Sequence, residues 1–293
     1  MTTRSTGGLV WIVTAAILWG TIGVVTGSIY QQAQTNALSI AFFRLLMAAP
    51  CLLLMSYTTL RSSAFRIDRR SLLTMLGMGL LTGVYQAAYI ASIPLVGVTI
   101  STLLSICTAP VLVTVISVLR GWERLQRQTV IALGGALLGT LLVVGVNPDV
   151  AGTNPAAGVA LSLLAGTGYA LAILIGRSLA RCYHPVQVTS ISFSAGAALL
   201  LILTLVTQTL VVDYSLTVWG LLLFLGVVPT ALAYSLFLTG ARSTPASVAS
   251  IAALIDPVTA AVLAALLFGE SLSLAGWVGA GLLLASIAWL SRR

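Results

Sequence analysis

Residues 110–123 read PVLVTVISVLRGWE, and residues 257–270, which lie 147 positions later, read PVTAAVLAALLFGE. Each stretch begins with Pro-Val, continues as an apolar run and ends at a glutamate, Glu123 in the first and Glu270 in the second. A match that keeps one spacing along an ordered stretch predicts two copies of a single structural unit, an arrangement common in membrane proteins.

The composition predicts a membrane protein. The 293 residues are 59% hydrophobic and 7% charged, with a mean hydropathy of +1.09. They contain ten apolar runs of roughly 17–25 residues, each long enough to cross a hydrocarbon core of ~30 Å as a helix. The predicted helices, numbered 1 to 10, cover residues 9–26, 37–57, 72–93, 98–119, 128–146, 156–176, 186–208, 216–238, 246–268 and 274–290. The predicted fold is all-α and integral to the membrane.

The arginines predict the topology. Arg44 lies in the middle of predicted helix 2, and the other basic residues lie in gaps on one side of the membrane if the N-terminus is cytoplasmic: Arg4, Arg61, Arg66, Arg69, Arg70, Arg120, Arg124, Arg127, Arg177, Arg181, Arg242, Arg292 and Arg293. The charged residues in the opposite gaps are all acidic: Asp149, Asp213 and Glu270. Cytoplasmic gaps are enriched in arginine. Both termini are therefore predicted to be cytoplasmic, with an even number of helices.

The two copies are predicted to be inverted relative to each other. Residues 1–148 form the first copy and residues 149–293 the second, with five helices each. Because five is odd, the second copy enters the membrane from the opposite side, which places Glu123 and Glu270 in gaps on opposite sides. Inverted repeats of this kind enclose a central cavity near the midplane.

Several classes of function are excluded. The formal charge of +8 does not indicate nucleic-acid binding, because the arginines are spread along one membrane face without interleaved aromatic residues. The single histidine, His184, and six acidic residues have no metal-ligand spacing. No phosphate-binding loop or Ser/His/Asp set is apparent. The sequence therefore predicts neither an enzyme, a cofactor, nor a metal site.

A family resemblance rests on four motifs. Trp19-Gly20 stands in predicted helix 1 and Phe43-Arg44 in predicted helix 2, and each copy has the Pro-to-Glu stretch quoted above. Each glutamate is followed by a leucine and, ten or eleven residues on, by a glycine. In these motifs, and over all ten helices, the chain resembles the EamA-like branch of the drug/metabolite transporter superfamily.

The resemblance implies two inverted five-helix repeats and export of small metabolites from a bacterial inner membrane. The subgroup that the chain resembles is that of the aromatic amino-acid exporters. The two copies differ at two charged positions: Asp256 corresponds to Ala109, and Arg44 corresponds to Ser194.

Polar and aromatic side chains within the predicted helices are the candidates for substrate binding. Polar groups in a bilayer are costly and tend to face a protein-lined interior, and rings with hydroxyls suit an amphipathic, partly aromatic solute. Alternatively, serines bond to their own helix and aromatic residues form interfacial belts. The candidates are Trp19, Arg44, Tyr85, Gln86, Tyr89, Ser101, Ser105, Tyr169, Tyr234, Ser250 and Asp256.

Arg44 and Asp256 are the charged residues that fall inside predicted helices, at similar depth. We expect both to face the bundle interior, either as a direct pair or through water and backbone carbonyls. If Asp256 has no partner, it becomes the natural group for proton coupling. A third option is that Arg44 binds a substrate carboxylate.

Proline and glycine provide candidate hinges. Pro110 and Pro257 remove a hydrogen bond from a helix and favour a kink, and Gly79 and Gly83 lie together in predicted helix 3. The alternative role of the glycines is close packing.

Predicted helices 5 and 10 contain small-xxx-small patterns, Gly135-xxx-Gly139 and Ala275-xxx-Gly279. These patterns allow either contact between two chains in a weak homodimer or packing within a monomer.

The function predicted from these features is export of small metabolites, and above all of aromatic or other neutral amino acids, by alternating access. Because no ATP-binding motif is present, the carrier would be secondary or facilitative. A multidrug/proton antiporter that uses Asp256 is the alternative on the same scaffold.

Overall fold

The computed structural model describes residues 3–144, 154–268 and 274–291, and within these ranges it contains helices and no strand. The α-helices are α1 (Thr3–Trp19), α2 (Thr21–Gln32), α3 (Ala37–Leu60), α4 (Arg69–Leu119), α5 (Arg127–Val144), α6 (Pro155–Cys182), α7 (Pro185–Val206), α8 (Leu216–Gly226), α9 (Ala233–Ala241), α10 (Ala246–Ala252), α11 (Ile255–Phe268) and α12 (Leu274–Ser291). The predicted all-α class is confirmed. Asp149 and Glu270, which helped to predict the topology, lie outside the described residues.

The helices have the length and polarity of membrane spans. Within the described residues, six stretches are long and apolar enough to cross a bilayer, and four shorter apolar helices accompany them. Their outer surfaces carry large apolar side chains, such as Leu54 with 63% and Leu73 with 60% of its surface exposed. So much exposed apolar surface is unusual for a protein in water and is matched by the interior of a bilayer.

Four helices begin at a polar side chain that accepts a hydrogen bond from a backbone N–H three residues later, as is typical of helix N-caps. These residues are Asn36, Asp68, Asn154 and Ser215. Asp68 also accepts a hydrogen bond from the Tyr183 hydroxyl. The bonds from Tyr183 and from the Ser71 N–H hold the pKa of Asp68 at about 2, so this cap stays ionised at neutral pH.

The helix α4 contains both predicted helices 3 and 4 and doubles back on itself. Helical turns follow one another without a gap from Arg69 to Leu119, but the helix axis is not straight. The Ser92 hydroxyl contacts the Ser101 hydroxyl nine positions later. Nine residues of straight α-helix span about 13 Å, so α4 must reverse near this point. Two antiparallel legs result, which preserves the predicted path of the chain.

The helix α6 packs against both legs of α4. Gly158 near its start lies against Val96, and Gly176 near its end lies against Met78, so the first leg runs antiparallel to α6. Ser105 in the second leg donates a hydrogen bond to a carbonyl of α6. The glycines on α6 allow this close approach because they have no side chain.

Three predicted helices are interrupted near their middle. Gly20 separates α1 from α2, a turn at residues 253–254 separates α10 from α11, and a π-helical turn at Val227–Leu232 separates α8 from α9. Pro229 within the π-helical turn and Pro257 just after the other turn lack a backbone N–H, which weakens regular helical bonding. Polar backbone at membrane depth is tolerated where protein surrounds it.

The contacts between helices follow the two-copy pattern. The helix α1 packs on α9, and α6 packs on α4. In the repeat, predicted helix 1 corresponds to helix 6 and helix 3 to helix 8, so these two contacts are equivalent. The contacts of α3 with α7 and of α5 with α12 join corresponding helices, and the contact of α4 with α7 has its equivalent in that of α3 with α8. Each contact thus has a counterpart when the two copies are interchanged, as a twofold axis between them requires. This agrees with an inverted repeat.

Glycines form a tight seam between α5 and α12 within the chain. A Cβ atom on Gly139 would lie 2.7 Å from the Gly279 carbonyl oxygen, and Gly135 lies against Ser286. Ala275, which was predicted to share this seam, is exposed, whereas Gly276 is buried. Gly135, Gly139 and Gly279 of the seam are thus already occupied by intramolecular packing.

Candidate functional site

Four aromatic side chains from four helices meet in the interior. The ring centroid of Trp19, at the end of α1, lies 4.9 Å from that of Tyr234 on α9 and 6.4 Å from that of Tyr169 on α6. Tyr85, on the first leg of α4, lies 5.8 Å from Tyr169. Each copy contributes two rings, so this aromatic cluster (Trp19, Tyr85, Tyr169 and Tyr234) lies between the copies.

Polar atoms within the aromatic cluster are only partly satisfied. The hydroxyls of Tyr85 and Tyr234 are 3.0 Å apart and share a hydrogen bond across the two copies. Among the described residues the buried indole N–H of Trp19 has no hydrogen-bond partner, although a buried tryptophan usually finds one. A donor is therefore available beside the rings.

Two phenylalanines complete the wall of the aromatic cluster and were not predicted. Phe193 lies 4.8 Å from Tyr234 and Phe237 lies 5.2 Å from Trp19, measured between ring centroids. A phenylalanine in an apolar helix carries no signal that separates a site from ordinary packing.

Arg44 on α3 reaches the π-helical turn of the second copy. Its Nε and Nη2 atoms each donate to the Thr230 hydroxyl oxygen at 3.4 Å. The Thr230 hydroxyl in turn donates to the Leu225 carbonyl at 2.6 Å, five residues earlier in the chain. The π-helical turn therefore presents Thr230 to Arg44, a role that the sequence did not reveal.

Asp256 lies in the first turn of α11, directly after the break that follows α10. It interacts electrostatically with Arg44, but the ion pair among the described residues joins Arg177 and Glu123 instead. Arg44 and Asp256 are surrounded by protein yet keep accessible surface. Both charges thus face the interior as expected, and the direct pair is not formed.

The predicted serines are engaged in bonds within the bundle. Ser101 contacts Ser92, Ser105 donates to the Ser162 carbonyl at 3.1 Å, and Ser250 donates to a carbonyl one turn earlier in α10. All are buried. These contacts give each hydroxyl a structural role, and contact with a solute stays a prediction.

The other polar candidates lie beside Tyr85 on the first leg of α4. Gln86 is buried, whereas Tyr89 is half-buried and interacts electrostatically with Arg44. Tyr89 therefore belongs to the surroundings of the charged groups, and a substrate contact for either residue stays a prediction.

The candidate hinges occupy two kinds of position. Pro257 follows the break before α11, whereas Pro110 is buried within a helical stretch of α4. A Cβ on Gly79 would overlap the Ser192 carbonyl on α7, and one on Gly83 would lie 2.9 Å from a Leu199 methyl. Both glycines thus allow α4 to pack closely on α7, and hinge motion at the four positions stays a prediction.

A second polar network, which we call the Glu123 network, lies at the end of α4 away from the aromatic cluster. The Glu123 carboxylate accepts a hydrogen bond from the Ala246 N–H at 2.5 Å and another from the Ser247 hydroxyl. Arg177 lies 3.9 Å from this carboxylate and donates to the Thr244 carbonyl at 2.9 Å. The network joins the first copy to α6 and α10 of the second. The sequence marked Glu123 as a repeat position and as part of a family motif, but not as a contact between helices.

Within the described residues, no group of three or more His, Cys, Asp or Glu side chains could hold a metal ion. The groups present at the candidate site are the aromatic cluster, Thr230 and the charges of Arg44 and Asp256.

A bundle of apolar helices with charged and aromatic groups between two related halves defines a multi-pass membrane protein with an interior site. The model of the EamA-like transporter family matches residues 6–145 and again residues 156–292. The chain belongs to this family of membrane transporters and is a transporter, not an enzyme. The double match agrees with the two copies seen in the sequence and in the helix contacts.

Similar proteins support the same class. The uncharacterized transporter YwfM of Bacillus subtilis is 28% identical, over 96% of this chain and 92% of its own length. The uncharacterized inner membrane transporter YicL of Salmonella typhimurium is 29% identical, over 97% and 95%. A solved crystal structure with 19% identity has a TM-score of 0.82 and covers 99% of this chain and 100% of its own. This last likeness concerns the fold.

Proposed function

We propose that this transporter exports small amphipathic metabolites, above all aromatic or other neutral amino acids, across a bacterial inner membrane. The proposal is carried by one observation: the half-buried charges of Arg44 and Asp256 act on each other beside the aromatic cluster. Rings suit an apolar side chain, and fixed charges suit the charged ends of an amino acid.

The proposed mechanism is alternating access between the two membrane faces. Its support is the position of the aromatic cluster between two halves whose helix contacts are equivalent, because such halves can exchange conformations around a fixed site. The distribution of arginines supports cytoplasmic termini. The carrier is secondary or facilitative. It binds its substrate on the cytoplasmic side and releases it on the opposite side of the membrane.

Counterflow in reconstituted vesicles tests this function. Purified protein is placed in vesicles loaded with one unlabelled amino acid, and uptake of the labelled form is followed with and without a pH gradient. We expect the preload to accelerate uptake of aromatic and branched neutral amino acids. Absence of counterflow for every amino acid, together with counterflow of other solutes, would contradict the proposed substrate class.

A multidrug/proton antiporter is the second candidate, and one observation favours it. The Asp256 carboxylate accepts no hydrogen bond from the described residues and keeps accessible surface, so a proton can reach it. This candidate requires that lipophilic cations exchange for protons and that Asp256→Asn abolishes the exchange. Transport of neutral amino acids without lipophilic cations favours the first function.

A further inference from the structure

The Arg44 guanidinium has more hydrogen-bond donors than protein partners. It carries five N–H groups, and among the described residues only the Thr230 hydroxyl accepts from it, through two long bonds of 3.4 Å. Arg44 nevertheless keeps accessible surface inside the bundle. Its remaining donors have no protein partner among the described residues, and a carboxylate suits a guanidinium well, because two parallel bonds can form.

The Asp256 carboxylate is in the complementary position. No described residue donates a hydrogen bond to its side chain, and it too keeps accessible surface. Ionised carboxylates accept only, so the missing partner is a donor, and a charged donor is favoured. An ammonium group meets both requirements.

The two charged groups are close enough to interact and too far apart to pair. Arg44 binds Thr230, one turn before Tyr234, and a Cβ on Gly20, next to Trp19, would lie 2.9 Å from the Asp256 carbonyl oxygen. Both residues therefore lie beside the aromatic cluster. Each acts electrostatically on the other, but among the described residues no ion pair joins them. An unpaired charge at membrane depth is costly and normally has a partner. One ligand with a negative end and a positive end provides a partner for both at once.

We propose that Arg44 and Asp256 form a charge clamp that holds both ends of a zwitterion, Arg44 binding the carboxylate and Asp256 the ammonium group. This inference rests on the proposed function and deepens it. The neighbouring rings of Trp19, Tyr169 and Tyr234 then receive the side chain of the substrate.

The charge clamp makes a specific demand on substrates. A molecule that lacks the ammonium group leaves Asp256 unpaired, and one that lacks the carboxylate leaves Arg44 unpaired. Removing one member of a buried charge pair is more damaging than removing both. Both single-charge analogues are therefore rejected, whatever their side chain.

Binding to purified protein in lipid nanodiscs tests the charge clamp by calorimetry. The probes are phenylalanine, 3-phenylpropionate, which lacks the ammonium group, and phenethylamine, which lacks the carboxylate. The same set is run for leucine. We expect wild-type protein to bind each amino acid at least 10-fold more tightly than either analogue. Asp256→Asn should remove the preference over the carboxylate analogue, and Arg44→Gln the preference over the amine.

Matched controls are Asp213→Asn and Arg242→Gln, because both residues are exposed and lie away from the aromatic cluster. They should leave all affinities within 2-fold of wild type. Equal losses for all three ligands in both clamp variants would show a merely structural role and overturn the clamp alone. The clamp alone is also overturned if Asp256→Asn removes the effect of a pH gradient on transport while the preference for amino acids over both analogues is unchanged. If wild-type protein neither binds nor transports any amino acid, the proposed function fails together with the clamp.

Discussion

The hydroxyls of Tyr85 and Tyr234 meet between the two copies. Their 3.0 Å hydrogen bond links the first leg of α4 to α9. Both rings also contact other members of the aromatic cluster. The bond therefore fixes two walls of the site relative to each other.

Removing either hydroxyl leaves the other without its partner. We expect Tyr85→Phe and Tyr234→Phe each to lower the free energy of unfolding by about 0.6–2 kcal/mol, as for interhelical bonds in membranes. The double variant should lose less than the sum, because both changes break the same bond. Unfolding in detergent micelles measures this, with the exposed Tyr57→Phe as the control. Additive losses would mean that the hydroxyls do not act together.

Part of the site could be predicted from residue types alone. Trp19, Tyr85, Tyr169 and Tyr234 stand out because polar or aromatic groups in apolar helices call for an explanation, and the structure brings these four together. Thr230 could not be predicted, because its position depends on an irregular turn. Hydropathy has no information about the direction of a side chain.

At the scale of elements, the α5–α12 seam depends on the absence of side chains at its glycines. A Cβ on Gly139 would lie 2.7 Å from one backbone atom of α12 and 2.9 Å from another, so the helices would have to separate. We expect Gly139→Ala to cost about 1–3 kcal/mol in unfolding free energy. Thermal unfolding of detergent-purified protein measures this loss.

Gly134 provides the matched control on the same helix. A Cβ at this position meets nothing within 4 Å, and alanine favours helix over glycine by about 1 kcal/mol. Gly134→Ala should therefore be neutral or stabilising. Equal behaviour of the two variants would rule out the seam as the reason for a glycine at position 139.

The Glu123 network connects elements of both copies near one membrane face. We expect Glu123→Gln to cost about 1.5–3 kcal/mol, because its carboxylate accepts charge-assisted bonds. Arg177→Gln should add little in the double variant, since the two residues share one network. The control is Arg181→Gln, one turn further along α6 and exposed. A thermal shift as large in the control would contradict this role.

Hydropathy located the helices but could not locate their breaks. The runs at 216–238 and 246–268 each read as one uninterrupted helix, and both are divided in the structure. Pro229 and Pro257 indicated irregularity without indicating its form. A π-helical turn and an open turn differ in hydrogen bonds, which depend on contacts with other helices rather than on apolarity.

For the whole molecule, the arginine pattern gives a testable orientation. In a variant without Cys51, Cys107 and Cys182, we expect Asp213→Cys to react with an impermeant thiol reagent in intact cells. Ser63→Cys should react only after the membrane is permeabilised, because its gap is rich in arginine. Both positions are exposed, so access to the reagent depends on the side of the membrane. The reverse labelling would place the termini outside.

Tyr85 and Tyr234 do not occupy equivalent positions in the two copies. Gly79 and Gly226 lie 147 residues apart, like Pro110 and Pro257, but Tyr234 lies two residues further from Gly226 than Tyr85 lies from Gly79, and the π-helical turn stands between Gly226 and Tyr234. A π-helical turn accommodates extra length within a continuous helix. It therefore sets the rotation of α9 relative to α8.

Each residue of an α-helix advances the rotation by about 100°. Rewinding Val227–Leu232 as regular α-helix without removing a residue would swing Tyr234 by about this angle, away from Trp19 and from Tyr85. The winding of this turn thus controls binding geometry through helical phase. Two relatives that share every residue of the aromatic cluster, but wind this turn differently, would present different surfaces to their substrates.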